Sequence, residues 1–202
     1  MRVTGADGAA AAATSAARRA RIVRAATETI ADYGLVGASF ARIAERAEVP
    51  STGAVCRHFK NKQELIDEVA SGVLADLGQS VTARLRQETT ARGALLAFLR
   101  ANVEFTGSHR VRMSALLAIF TNSGFPFAAA ERDRARAPIE AILRDGQARG
   151  EFRDFDPEMM ASLAQSALEG LPMLLESRPE LDLAAFADEV AATFDLATRR
   201  EP

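Results

Sequence analysis

The chain has 202 residues, 48% of them hydrophobic and 26% charged, which suits one good core or two small ones. Its single cysteine excludes an internal disulfide and a cysteine metal cluster. No window approaches the ~18 consecutive apolar residues of a membrane span. The net charge of −2 hides an asymmetry: residues 14–62 carry nine basic groups against four acidic ones, leaving −7 for the rest. A basic N-terminal quarter on an acidic body points to a polyanion at one end, against the plainer reading of chance clustering on a solvated surface.

Residues 1–16 hold a run of five alanines with Asp7 before it and Arg18, Arg19 and Arg21 after it. This is a poor signal peptide, and we expect a disordered arm on a cytoplasmic protein. From there the pattern is helical. Ile22, Ala25, Ala26, Thr29, Ile30 and Tyr33 fall on one helix face, and Gly34 stands where a left-handed cap is wanted. Ser39 can cap a second, short helix that turns Phe40, Ile43, Ala44 and Ala47 inward. After the break "EVPS" a third helix is predicted over 52–59. Asn61 and Glu64 have capping-box spacing and would open a long helix.

Further helices are expected over 91–106 and 109–121, then one ending before Gly150 that Pro138 should kink or split. Asp156, Pro157 and Glu158 mark another start, for a helix that reaches Ser177 with a kink at Pro172. Asp182 can cap a last helix with Leu183, Phe186, Val190 and Phe194 inward, as monomer core or as a dimer seam. The fold class is therefore all-α. We place one three-helix domain at 17–62 and a second helical domain at 63–202.

Two short helices joined by a tight turn, with basic residues on and after the second, match a helix-turn-helix. The first would lie across a DNA backbone and brace the second, which offers its opening turn to the major groove. Gly53 lets backbone approach backbone, and Arg57, His58, Lys60 and Lys62 supply donors.

The stretch "RIVRAATETIADYGLVGASFARIAERAEVPSTGAVCRHFKNKQELIDEV" resembles the DNA-binding domain of the TetR family of transcriptional regulators. The likeness covers about residues 18–70 and rests on "ADYGLVGAS", "IAERA", "TGAV" and "RHFKNKQEL". A weaker likeness continues in "ILRDGQARGEFRDFDPEMMA". The resemblance implies a homodimer, joined through its last two helices, on a double-stranded palindromic operator. It also implies that residues 17–62 form the DNA-binding domain and 63–202 the ligand-binding and dimerisation domain, where a small-molecule effector binds and releases the DNA. Ser39 takes the place of the residue that caps the second helix and touches phosphate. Ser51, Thr52, Gly53 and Ala54 open the recognition helix, with Ser51 as its cap. Cys56, Arg57 and His58 follow on it, and Lys62 takes the place of a phosphate-binding lysine. Arg18 and Arg19, on a basic arm, can follow the minor groove or the phosphates. Phe105, Met113, Leu117, Phe120 and Met160 are the candidate effector contacts, although each is also ordinary core material.

Three departures from the family pattern stand out. The turn is one residue longer, placed at Pro50; position 41 is Ala; and Cys56 replaces a tyrosine. Cys56 and His58, two apart on a helix, point to different faces and make no catalytic pair. Cys56 is either a redox-sensitive thiol or a replaced aromatic contact. His109 is read as a surface histidine, with an effector contact as the alternative. No catalytic constellation, metal set or cofactor motif is present. The function read from the chain is a DNA-binding regulator, a repressor released by a small apolar or amphipathic ligand. A helical protein–protein adaptor or an activator is the alternative.

Overall fold

The computed structural model describes residues 4–121 and 127–200, with side chains over 12–121 and 133–200. The described residues form helices α1 Thr4–Gly37, α2 Phe40–Arg46, α3 Thr52–Cys56, α4 Lys62–Leu85 and α5 Ala91–Ser108. These are followed by α6 Arg110–Thr121, α7 Phe127–Ala148, α8 Pro157–Glu169, α9 Leu171–Ser177 and α10 Leu183–Thr198. No strand occurs among the described residues beyond an isolated bridge between Phe152 and Arg199. Two compact units are present: residues 1–73 with 114–122, and residues 74–113 with 123–202.

In the first unit α1 starts at Thr4, within the stretch expected as a disordered arm over 1–16, of which residues 1–3 lie outside the described ones. Alanine has the highest helix propensity, and the run of alanines extends the helix N-terminally. Regular geometry breaks at Gly34, whose φ of 69° and ψ of 173° suit glycine almost alone. Ile22, Ala25, Ala26, Thr29 and Ile30 are buried as the periodicity requires, but Tyr33 is 53% exposed. The stripe ends one turn earlier than its spacing suggests: the Tyr33 ring lies at the surface, where the guanidinium groups of Arg42 and Arg46 stand over it at 4.7 and 5.9 Å.

Ser39 caps α2 by accepting the Arg42 N–H at 3.3 Å. The exit from α2 is a Schellman turn: Glu48 N–H donates to the Glu45 carbonyl and Val49 N–H to the Ala44 carbonyl, both at 3.0 Å. Glu48 sits in the position that favours glycine, at φ 51°. Asn61 Oδ1 accepts the Glu64 N–H at 2.9 Å, while the Glu64 carboxylate accepts the Lys60 N–H at 2.7 Å. The capping box is thus present, with its return bond one residue before the cap. The long helix it opens buries Leu65, Ile66, Val69 and Ala70 with Ile22, Ile43, Val55 and Phe59.

In the second unit α5 is the central helix and packs on α7, α8, α9 and α10. Its Leu95, Phe98, Leu99 and Val103 meet Ile139, Leu143, Phe152, Leu168 and Leu171. Each such side chain, fully buried, contributes about 1.5–3 kcal/mol. Pro138 lies inside α7 without splitting it. Gly150, at φ 71°, closes α7 with a second Schellman turn. The loop that follows covers the end of α10, as Arg153 donates its backbone N–H to the Thr198 carbonyl and its Nε to the Ala197 carbonyl. Asp156 caps α8, Pro157 is its first residue, and Pro172 follows the break at Gly170 that divides α8 from α9. Phe194 is core, with Phe186 and Val190 packed against it, so the inward stripe of α10 serves the monomer.

Candidate nucleic-acid interface

The recognition element is shorter than the expected 52–59. Regular helix spans Thr52–Cys56, and Arg57 and His58 form the turn behind it. Its burial pattern gives it a face. Ala54 and Val55 are fully buried, while Thr52, Gly53, Cys56 and Arg57 are exposed. Positions i, i+1, i+4 and i+5 share one side of a helix, so these four residues form a single outward edge. Ala54 was expected among the DNA contacts. Its methyl is buried in the unit's core. Ser51 holds the cap position with extended backbone, but its side chain makes no capping hydrogen bond, which corrects its expected role. A side chain at Gly53 would meet only Ser51 Oγ, at an ordinary 3.5 Å. Nothing inside the fold requires glycine there, so the bare backbone is available to a partner.

The basic groups divide into two sets. Arg19 forms an ion pair with Glu68 and covers the Phe59 ring. Lys62 donates its Nζ to the Leu35 carbonyl at 2.6 Å, and partial burial lowers its pKa. Arg21 donates to the Glu48 carbonyl, Arg42 to the Gly37 carbonyl, and Arg46 pairs with Asp32. These five tie the helices of the unit to one another, so Arg19 and Lys62 are engaged within the protein rather than held free for phosphate. Arg18, Arg24, Arg57 and Lys60 are exposed and form no ion pair with another described residue. His58 is half-buried, and its pKa is lowered first by burial and then by the charges of Arg18, Arg57 and Arg19. Cations from α1 and from the turn behind α3 thus act on one imidazole. Sequence reasoning named Lys60 among the donors around the site but gave no sign of Glu68. The partner of Arg19 lies 49 residues away, beyond any local pattern.

The sequence pattern described as bacterial regulatory proteins, tetR family, matches residues 22–69. Over 180 residues the chain is 31% identical to the HTH-type transcriptional regulator BetI of Cronobacter sakazakii, covering 87% of this chain and 86% of that protein. The chain belongs to the TetR family. A second BetI, from Paraburkholderia phytofirmans, is 35% identical over 107 residues, covering 52% of this chain and 54% of that one. Among solved structures, a tetR-family regulatory protein from Rhodococcus RHA1 superposes with a TM-score of 0.77 at 22% identity, covering 91% of this chain and 98% of that one. AibR in complex with isovaleryl coenzyme A and operator DNA gives 0.76 at 18%, covering 87% and 97%. FadR of Bacillus subtilis in complex with stearoyl-CoA gives 0.77 at 17%, covering 86% and 96%.

As a TetR-family member the chain is a DNA-binding transcriptional regulator, not an enzyme. No described helix is long and apolar enough to cross a membrane, and no described group of His, Cys, Asp and Glu could hold a metal. The candidate effector residues are divided between the units. Phe105, Met113 and Met160 lie in the second, and Leu117 and Phe120 lie in the part of α6 grouped with the first. Phe105 is buried and stacks on His109, with ring centroids 4.1 Å apart. The expected surface histidine is therefore half-covered at the end of α5, and Met160 packs against the core of the second unit.

Proposed function

We propose that this chain is a repressor that holds a palindromic operator as a homodimer and leaves it on binding a small amphipathic effector. The observation that carries the reading is the outward edge of Thr52, Gly53, Cys56 and Arg57 on α3, set in a unit whose free cations include Arg18, Arg57 and Lys60. A short helix bearing one bare-backbone position and one arginine fits base edges in a major groove, and the cations fit the flanking phosphates. We place the seam of the dimer, expected on the last two helices, on α8 and α9, where Met159 (63%), Leu163 (62%) and Met173 (59%) are exposed. The acyl-CoA ligands of AibR and FadR suggest an acyl thioester as the effector class, and Phe105, Met113 and Met160 of the second unit offer apolar contacts to an acyl chain.

The test is a mobility shift on the DNA flanking the protein's own coding region, with random DNA as competitor and a panel of acyl-CoA thioesters. A competitor-resistant shift at two protomers per site, reversed by a thioester, is expected. Equal affinity for random and flanking DNA would favour the adaptor reading instead.

A further inference from the structure

Arg19 lies at a junction within the first unit. Its guanidinium stands 4.7 Å from the centroid of the Phe59 ring and pairs with the carboxylate of Glu68. Phe59 is 1% exposed, and its N–H donates to the carbonyl of Val55 in α3. Glu68 belongs to α4. One α1 side chain therefore grips both the residue that ends the recognition turn and the helix that follows it. A guanidinium facing a ring and paired with a carboxylate has its charge satisfied within the protein. Its neighbour Arg18, on the same helix, is exposed and has no such partner among the described residues.

We propose that Arg19 is a positioning residue for DNA recognition: with Glu68 and Phe59 it locks the end of α3 against α4. It thereby sets the attitude of the edge formed by Thr52, Gly53, Cys56 and Arg57. The phosphate contacts of this corner then fall to Arg18, Arg57 and Lys60. The inference rests on the reading of α3 as the recognition helix. The two roles differ in what they do to binding. A lost phosphate contact weakens all DNA about equally and lowers the slope of log affinity against log salt by about one. A misplaced recognition helix weakens the cognate sequence selectively and leaves the slope unchanged.

The experiment uses the full chain and two duplexes: one selected by the wild-type protein from random-sequence DNA, the other a scramble of it. Affinities are read by fluorescence anisotropy from about 50 to 200 mM salt. Arg19→Ala is expected to lose about tenfold on the selected duplex and under about twofold on the scramble, with unchanged slope. Glu68→Ala should do the same, and the double variant should be no worse than the weaker single, since both remove one interaction. Arg19→Lys should stay impaired, because an ammonium cannot reproduce the planar fork over the ring. Arg18→Ala should lower the slope by about one on both duplexes.

The side chains of Arg19 and Glu68 are 37% and 42% exposed, so these variants are expected to fold; thermal unfolding checks this, and Glu68→Gln gives a milder probe. An Arg19→Ala variant that loses slope and weakens both duplexes alike overturns the proposal. So does an affinity gain in Glu68→Ala, which would mean that the carboxylate competes with DNA for Arg19. Full rescue by lysine would do the same. If the wild type does not separate the two duplexes, recognition by α3 fails first, and the positioning role falls with it.

Discussion

Glu48 occupies the left-handed slot of the turn between the two helices of the DNA-binding motif, where the same turn after α7 uses Gly150. A side chain in that region costs about 1–2 kcal/mol, and glycine returns part of this as extra freedom of the unfolded chain. Glu48→Gly should therefore raise stability by roughly 0.5–1 kcal/mol in chemical denaturation, since the Arg21 hydrogen bond goes to the backbone carbonyl and survives. A loss of stability would show that the Glu48 side chain does something its surroundings do not reveal. The residue scale is also where sequence reasoning failed most. It counted the charges of Arg19 and Lys62 correctly and could not see what they touch. Ala54 shows the same limit: its place in the first turn is legible, but whether its methyl faces solvent or core depends on how α3 is rolled against the rest of the unit.

Among the elements, the α7–α8 connection has little tolerance for change. A methyl on Gly146 would overlap the ring of Phe152, which is 3% exposed and has no open side to move into. Gly146→Ala should cost about 1–3 kcal/mol of stability, measured by thermal unfolding, through displacement of that ring from the core of the second unit. An unchanged melting temperature would show that the loop moves freely. A second element-level prediction concerns pH. Arg92, in the first turn of α5, makes two hydrogen bonds of 2.6 and 2.8 Å to Asp195 of α10 and holds that carboxyl below its ordinary range. A carboxyl depressed in the folded state adds stability above its unfolded value, and this is lost as pH falls through the folded one. Asp195→Asn should therefore unfold at a lower temperature than wild type at neutral pH, with the gap closing below about pH 4. A gap that stays constant into acid would remove the ion pair as its cause. The elements themselves were mostly legible, because caps and stops such as Ser39, Asn61, Asp156 and Gly150 act over a few residues. The exceptions were the short α3, whose end carries no stop signal, and the N-terminus, where the helix propensity of the alanine run was set aside.

For the whole molecule the open question is assembly. Met159, Leu163 and Met173 project from α8 and α9, while the apolar stripe of α10 is used up inside the second unit. Leu163→Glu should convert the dimer to a monomer in sedimentation velocity. It should also weaken operator binding by more than about tenfold, because two half-sites would no longer be held by one particle. A dimer that persists would place the seam elsewhere.

The sequence alone determined the all-helical class, most helix boundaries, the helix-turn-helix and the basic character of its end. All of these depend on periodicity, capping chemistry and charge, which are local or additive along the chain. Only the tertiary structure decided which cations remain free, which edge of α3 faces outward, and that α10 faces inward. Each of these depends on a partner far away in sequence, such as Glu68 for Arg19 or Leu35 for Lys62. No local pattern records such a pairing before the chain folds.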